Sequence, residues 1–77
     1  NEYGRQLRQE QYKNGREDGQ WLTWYDEGPL NTEVNYRNGM RNGTYKVLTM
    51  KGEVVYEATY KNDDLVKVKV DNRGKVK

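Results

Sequence analysis

The chain has 77 residues, no Cys, no His and no Ser, and its 14 basic side chains nearly balance 12 acidic ones for a net charge of +2. That inventory excludes disulfides, Ser–His–Asp and Cys–His catalysis, and zinc sites built on nitrogen and sulfur ligands. Five Leu and eight Val without Ile or Phe leave aliphatics thin, but two Trp and seven Tyr supply rings that can be buried, so a small folded β-structure is expected rather than a disordered chain.

In chain order, the hydrophobic alternation predicts strands near 6–13, 20–25, 30–37, 44–49, 53–61 and 65–70, with a further one at 75–77. The first connection is read as a six-residue link, Asn14-Gly15-Arg16-Glu17-Asp18-Gly19. Its Asn-Gly and Asp-Gly steps suit left-handed backbone. Trp21, Thr23 and Tyr25 share one side of the next strand, and Leu22 and Trp24 the other. Asp26-Glu27-Gly28-Pro29 reverses the chain. The return strand sets Leu30, Thr32, Val34 and Tyr36 on one side, and Val54, Tyr56, Ala58 and Tyr60 take the same parity later. Between them lies the link Asn38-Gly39-Met40-Arg41-Asn42-Gly43. At the end, Val66, Val68 and Val70 alternate with Lys67 and Lys69, read as valines inward and lysines outward on a capping edge strand.

These segments follow a 24-residue spacing. Tyr12-Lys13-Asn14-Gly15 recurs as Tyr36-Arg37-Asn38-Gly39 and as Tyr60-Lys61-Asn62-Asp63. Gly4 with Gly28, Gly19 with Gly43, Trp21 with Tyr45, Trp24 with Leu48, Gly28 with Gly52, Leu30 with Val54 and Glu33 with Glu57 keep the step. Fixed-period similarity is the mark of repeat architecture. The expected fold is all-β, one domain: an antiparallel meander of tandem hairpin repeats forming a single elongated twisted sheet. Its units are a partial one at 1–11, repeats at 12–35 and 36–59, and a degenerate capping unit at 60–77.

At these residues the sequence resembles the MORN-repeat variant family. Its template, Tyr-Lys-Asn-Gly-x-x-(Asp/Asn)-Gly-x-Trp followed by aromatics and Gly-x-Leu-x-x-Glu-x-x-Tyr, is carried by Tyr12 to Gly15, Asp18-Gly19, Trp21, Trp24-Tyr25, Gly28, Leu30, Glu33 and Tyr36. The second copy runs from Tyr36 through Asn38-Gly39, Asn42-Gly43, Tyr45, Leu48, Gly52, Val54 and Glu57 to Tyr60. Pro29, the shifted Leu7 and the eroded third unit depart from it. The resemblance implies hairpin repeats without catalytic residues. In bacteria such proteins are often antitoxins or immunity proteins that bind another protein, and eukaryotic MORN repeats are linked to scaffolding and membrane lipid.

Candidate chemistry is sparse. Glu17-Asp18, Asp26-Glu27 and Asp63-Asp64 fall in expected turns and match no calcium loop. Glu33 and Glu57 lie mid-strand and are expected to pair with nearby cations. A hydrolase built on them is the weakest alternative, because a flat sheet rarely supplies a pocket. Gly15-x-x-x-Gly19 lacks the Lys-Thr and the helix of a phosphate loop. No enzyme, cofactor or metal is therefore expected. Apolar groups fall on both sides of the sheet, and Leu22, Trp24, Leu48 and Met50 are nominated as a partner-binding side for another protein. Edge-strand pairing into a homo-oligomer is a second route to association. Lys67, Lys69, Arg73, Lys75 and Lys77 face Asp71 alone over 65–77, a local excess of 5 − 1 = 4 positive charges. They form an alternative contact for anionic lipid, whereas nucleic acid is disfavoured because valines, not rings, interleave them. A cytoplasmic location is the accompanying expectation.

Overall fold

A computed structural model describes residues 7–74. Gly4, the strand expected at 75–77, Lys75 and Lys77 lie outside the described residues. The chain is all-β: β1 (Arg8–Gln9), β2 (Tyr12–Lys13), β3 (Arg16–Glu17), β4 (Gly19–Trp24), β5 (Leu30–Arg37), β6 (Met40–Leu48), β7 (Val54–Lys61) and β8 (Asp64–Asp71). All pairings are antiparallel. Six strands form a sheet in the order β1-β4-β5-β6-β7-β8, and β2 with β3 forms a two-stranded ladder. The single elongated sheet gives way to these two ladders in a slab of 33 × 31 × 12 Å, nearly as wide as it is long.

The long links are shorter than the sequence spacing implied. Lys13 pairs with Arg16, Arg37 with Met40 and Lys61 with Asp64, so each turn has two residues. Their φ values are positive at both positions: 53° and 78° at Asn14-Gly15, 51° and 81° at Asn38-Gly39, 50° and 72° at Asn62-Asp63. Two left-handed residues give a turn whose twist matches that of the flanking strands. Strands therefore resume at 16, 40 and 64, earlier than expected.

The second glycine of each motif serves a bulge, not a turn. Asn42, Gly43 and Thr44 stand between the Tyr36–Arg41 and Val34–Tyr45 pairs, opposite the single residue Asn35. Asn35 Nδ2 donates to the Thr44 carbonyl at 2.9 Å, and Gln11 Nε2 donates to the Gln20 carbonyl at 3.1 Å, 24 residues earlier. Other bonds keep the same interval. The Gly39 amide donates to the Glu17 carbonyl (2.8 Å) and that of Asp63 to the Arg41 carbonyl (2.9 Å). The Asn38 amide donates to Asp18 Oδ2 and the Asn62 amide to Asn42 Oδ1. The Asp/Asn before each second glycine thus ties its bulge to the following turn. At the opposite end, Tyr25 and Thr49 each close a five-residue loop, their amides donating to the Pro29 and Glu53 carbonyls.

Among the described residues nothing in a slab 12 Å thick covers either face, since a second layer would add about 10 Å. Only Tyr56 (8% exposed) and Ala58 (0%) are buried among the described apolar residues. Ala58 pairs with Tyr45 on β6, and Tyr56 and Tyr60 flank it on its own strand. The three rings leave room beneath them for a methyl group.

The valines of β8 are not inward. Register shifts between Glu57/Ala58 and Thr59/Tyr60 break the alternation. Val68 stands opposite Ala58 and Val70 opposite Glu57, so these two valines fall on different faces. With no facing layer, Leu65, Val66 and Val68 are 52%, 61% and 42% exposed.

Candidate functional site: the ring-bearing face

Residues paired across a sheet share a face. Trp21–Val34, Val34–Tyr45, Tyr45–Ala58 and Ala58–Val68 therefore define one side, which Tyr36, Tyr60 and Tyr56 join. Two ring clusters stand on it. Tyr12 and Trp21 meet edge-on at 5.2 Å between centroids, and Trp21 and Tyr36 lie 5.1 Å apart. Tyr45 lies 6.0 Å from Tyr56 and 5.7 Å from Tyr60. The indole Nε1 of Trp21 donates to the Gln11 carbonyl at 2.9 Å, which fixes the ring at the strand's bulge.

Each cluster borders an open hollow. The first, about 260 Å³, is lined by Arg8, Glu10, Trp21, Leu22, Thr23, Thr32, Val34 and Tyr36. The second, about 200 Å³, is lined by Arg41, Tyr45, Val47, Val55, Tyr56, Tyr60 and Arg73. Both are smaller than the roughly 300–1,000 Å³ typical of small-molecule sites. They are of a size to receive individual side chains.

The second hollow holds its own cations. The Arg41 guanidinium lies 4.4 Å from the centre of the Tyr60 ring, and that of Arg73 lies 4.5 Å from the Tyr56 ring. Arg41 Nε donates to Asp63 Oδ1 at 2.7 Å, and Arg73 donates to both oxygens of Asp71 at 2.9 and 2.8 Å. These bonds hold both guanidinium groups above their ordinary pKa and, from Arg41, keep the Asp63 carboxyl low. The Tyr56 phenol is raised by its hydrogen bond with Tyr60 and by burial. The Tyr36 phenol is raised by burial and by the Glu17 carboxylate. At neutral pH the face therefore offers neutral phenols and full cations.

The residues nominated from sequence are dispersed. Leu22 pairs with Glu33, Trp24 with Leu30 and Leu48 with Val54. Trp24 and Leu48 thus stand at the five-residue-loop end of the sheet, and Met50 lies in the turn after β6 with 48% exposure. The row through Leu22 continues into Glu33, Lys46 and Glu57, so charge occupies the middle of that side. Glu57 pairs with Lys69 at 3.6 Å, and Glu33 accepts from Asn35 Nδ2 at 3.4 Å. Neither carboxylate lines either hollow.

Among the described basic C-terminal residues, Lys67 and Lys69 stand on the side of Thr59 and Glu57, and Arg73 on the other. Lys67 stands opposite Thr59, Lys69 is held by Glu57, and Arg73 turns onto the ring-bearing face. Among the described residues, no group of three or more acidic side chains is placed to hold a metal ion, and no helix is long and apolar enough to cross a membrane. Arg41 and Arg73 were not singled out from the sequence. Arg41 was within reach of it, because a two-residue turn at Asn38-Gly39 pairs it with Tyr36. Arg73 was not, because its place depends on the two bulges of β8.

No protein-family model, curated protein or solved structure matches the chain.

Proposed function

We propose that the chain is a non-enzymatic module of tandem 24-residue hairpin units, similar to the MORN-repeat variant family, that binds another protein in the manner of a small antitoxin, immunity or inhibitor protein. The observation that carries this reading is the uncovered ring-bearing face of a single-layer sheet. Trp21, Tyr36, Tyr45 and Tyr60 are only part-buried there and border hollows of side-chain size. Trp, Tyr and Arg dominate interface hot spots because they bury large area at small entropic cost. The recurrence of bulge, turn and loop hydrogen bonds at 24-residue intervals supports the repeat description. The ring-bearing side is favoured over the side of Leu22, Trp24, Leu48 and Met50, whose central row is charged and costly to desolvate. Lipid contact through Lys67, Lys69 and Arg73 has weaker support, because Lys69 and Arg73 already pair with carboxylates.

The test is capture from a lysate of the source organism with immobilised wild-type chain, Trp21→Ala, Tyr45→Ala and Trp24→Ala, each checked for folding by circular dichroism. A partner recovered by wild type and Trp24→Ala, and at least about tenfold less by the two ring-face variants, is the expected result. Recovery unaffected by both ring-face variants, or lost only in Trp24→Ala, overturns the assignment.

A further inference from the structure

Positions 24 residues apart carry matching backbone on this face but opposite charge at one place. Arg41 pairs with Tyr36 across the Asn38-Gly39 turn, its carbonyl accepts the Asp63 amide, and its guanidinium is stacked on Tyr60 and bound to Asp63. Glu17 holds the corresponding place. It pairs with Tyr12 across the Asn14-Gly15 turn, and its carbonyl accepts the amide of Gly39, which stands where the later unit has Asp63. Glu17 therefore brings a carboxylate to the location that Arg41 fills with a cation. Its Oε1 lies 3.5 Å from where a Cβ on Gly39 would stand. Among the described residues Glu17 has no ion pair, and the two stacked guanidinium groups are on Tyr60 and Tyr56, with none on Tyr36.

The second hollow thus displays, within the molecule, what such a ring accepts: a guanidinium held by one carboxylate. In the first hollow Tyr36 stands beside Trp21, and the cation of its lining, Arg8, is bound to Glu10 and is not stacked on the Tyr36 ring; next to that ring Glu17 holds the place of Arg41 with a carboxylate. We propose that the Tyr36 ring, at the border of the first hollow, receives an arginine side chain of the protein partner, stacked on Tyr36 and donating to Glu17. Arginine fits better than lysine because its planar fork can stack and hydrogen-bond to a carboxylate at once, and it is more weakly hydrated. An anionic side chain would meet Glu17 and be repelled. The inference rests on the protein-binding reading and adds the chemistry of one contact to it.

N-acetyl-arginine amide, titrated into ¹⁵N-labelled protein and followed by NMR, is the probe. Saturable shifts are expected at the Trp21 indole and the Glu17 and Tyr36 amides. N-acetyl-citrulline amide, of the same shape without the charge, should bind at least about fivefold more weakly. Glu17→Gln and Tyr36→Leu should each weaken the arginine probe by about two- to fivefold, the range for one exposed charge pair or one exposed cation–π contact. Glu17→Arg, which copies the arrangement of Arg41, should abolish binding. Absence of a saturable shift at Trp21, an equal response to citrulline, or affinity unchanged in both Glu17→Gln and Tyr36→Leu overturns the proposal. If the probe fails while capture remains sensitive to Trp21→Ala and Tyr45→Ala, only the arginine assignment falls. If those variants also leave capture unchanged, the ring-face reading falls with it.

Discussion

Replacing Gly43 with Ala tests whether the second glycine of the motif is held by bulge geometry. Gly43 has φ +112°, a region that L side chains rarely adopt, and a Cβ there would lie 3.3 Å from Asn35 Cβ. Two costs follow. Backbone strain at such a φ is about 1–3 kcal/mol. Displacing Asn35 weakens its 2.9 Å bond to the Thr44 carbonyl, worth about 0.5–1.5 kcal/mol. Alanine also stiffens the unfolded chain, which offsets about 0.4–1 kcal/mol. The net loss is about 0.5–4 kcal/mol, against roughly 4–11 kcal/mol of total stability for a chain of this length. At about 4–8 °C per kcal/mol for a small domain, the thermal midpoint should fall by roughly 2–30 °C in circular dichroism. Gly52→Ala is the control, since Gly52 has φ +85° but nothing within 4 Å of the added Cβ. It should keep the strain and lose no neighbour, giving the smaller drop. If Gly43→Ala proves no more destabilising than Gly52→Ala, the close approach to Asn35 is not what selects glycine.

Two further outcomes follow from packing and titration. Ala58→Leu adds bulk where Tyr45, Tyr56 and Tyr60 leave no exposed surface, so urea unfolding should show a loss of about 1–3 kcal/mol. Asp63 is held below its ordinary value of 3.8 by the hydrogen bonds from Arg41, so its contribution is complete above that pH and disappears as pH falls through the lower folded value. Tyr56 and Tyr36 are raised above 10.0, Tyr56 first by its bond with Tyr60 and Tyr36 first by burial, so their contribution is complete below pH 10 and is lost as pH rises through the folded values. Urea midpoints measured against pH should fall at both ends. Arg41→Gln should flatten the acid limb, and an acid limb identical to wild type would contradict the ion pair's role.

The chain's own order of residues determined the all-β hairpin pattern, the places where the chain reverses and the parity along the strand centres, because these are local. The six-residue links read from it prove to be two-residue turns, and register shifts take Leu30 and Val54 off the parity read for them. An Asn-Gly pair needs no distant partner to favour left-handed backbone, and alternation has a period of two wherever it occurs. Thus β5 is found at the limits read from the alternation, and Trp21, Val34, Tyr45 and Ala58 share the side their parity assigned. The alternation misses the start of β6 at Met40 in favour of a strand at 44–49, since Met40, Arg41 and Asn42 carry no apolar alternation to mark a strand. What tertiary structure alone decided is the fate of the two faces. Whether a second layer covers the rings is decided by how distant segments pack, and among the described residues none does. The bulges opposite Gln11 and Asn35 and along β8 shift registers by amounts that depend on both strands at once. Those shifts send Val68 and Val70 to different sides and bring Arg73 over Tyr56.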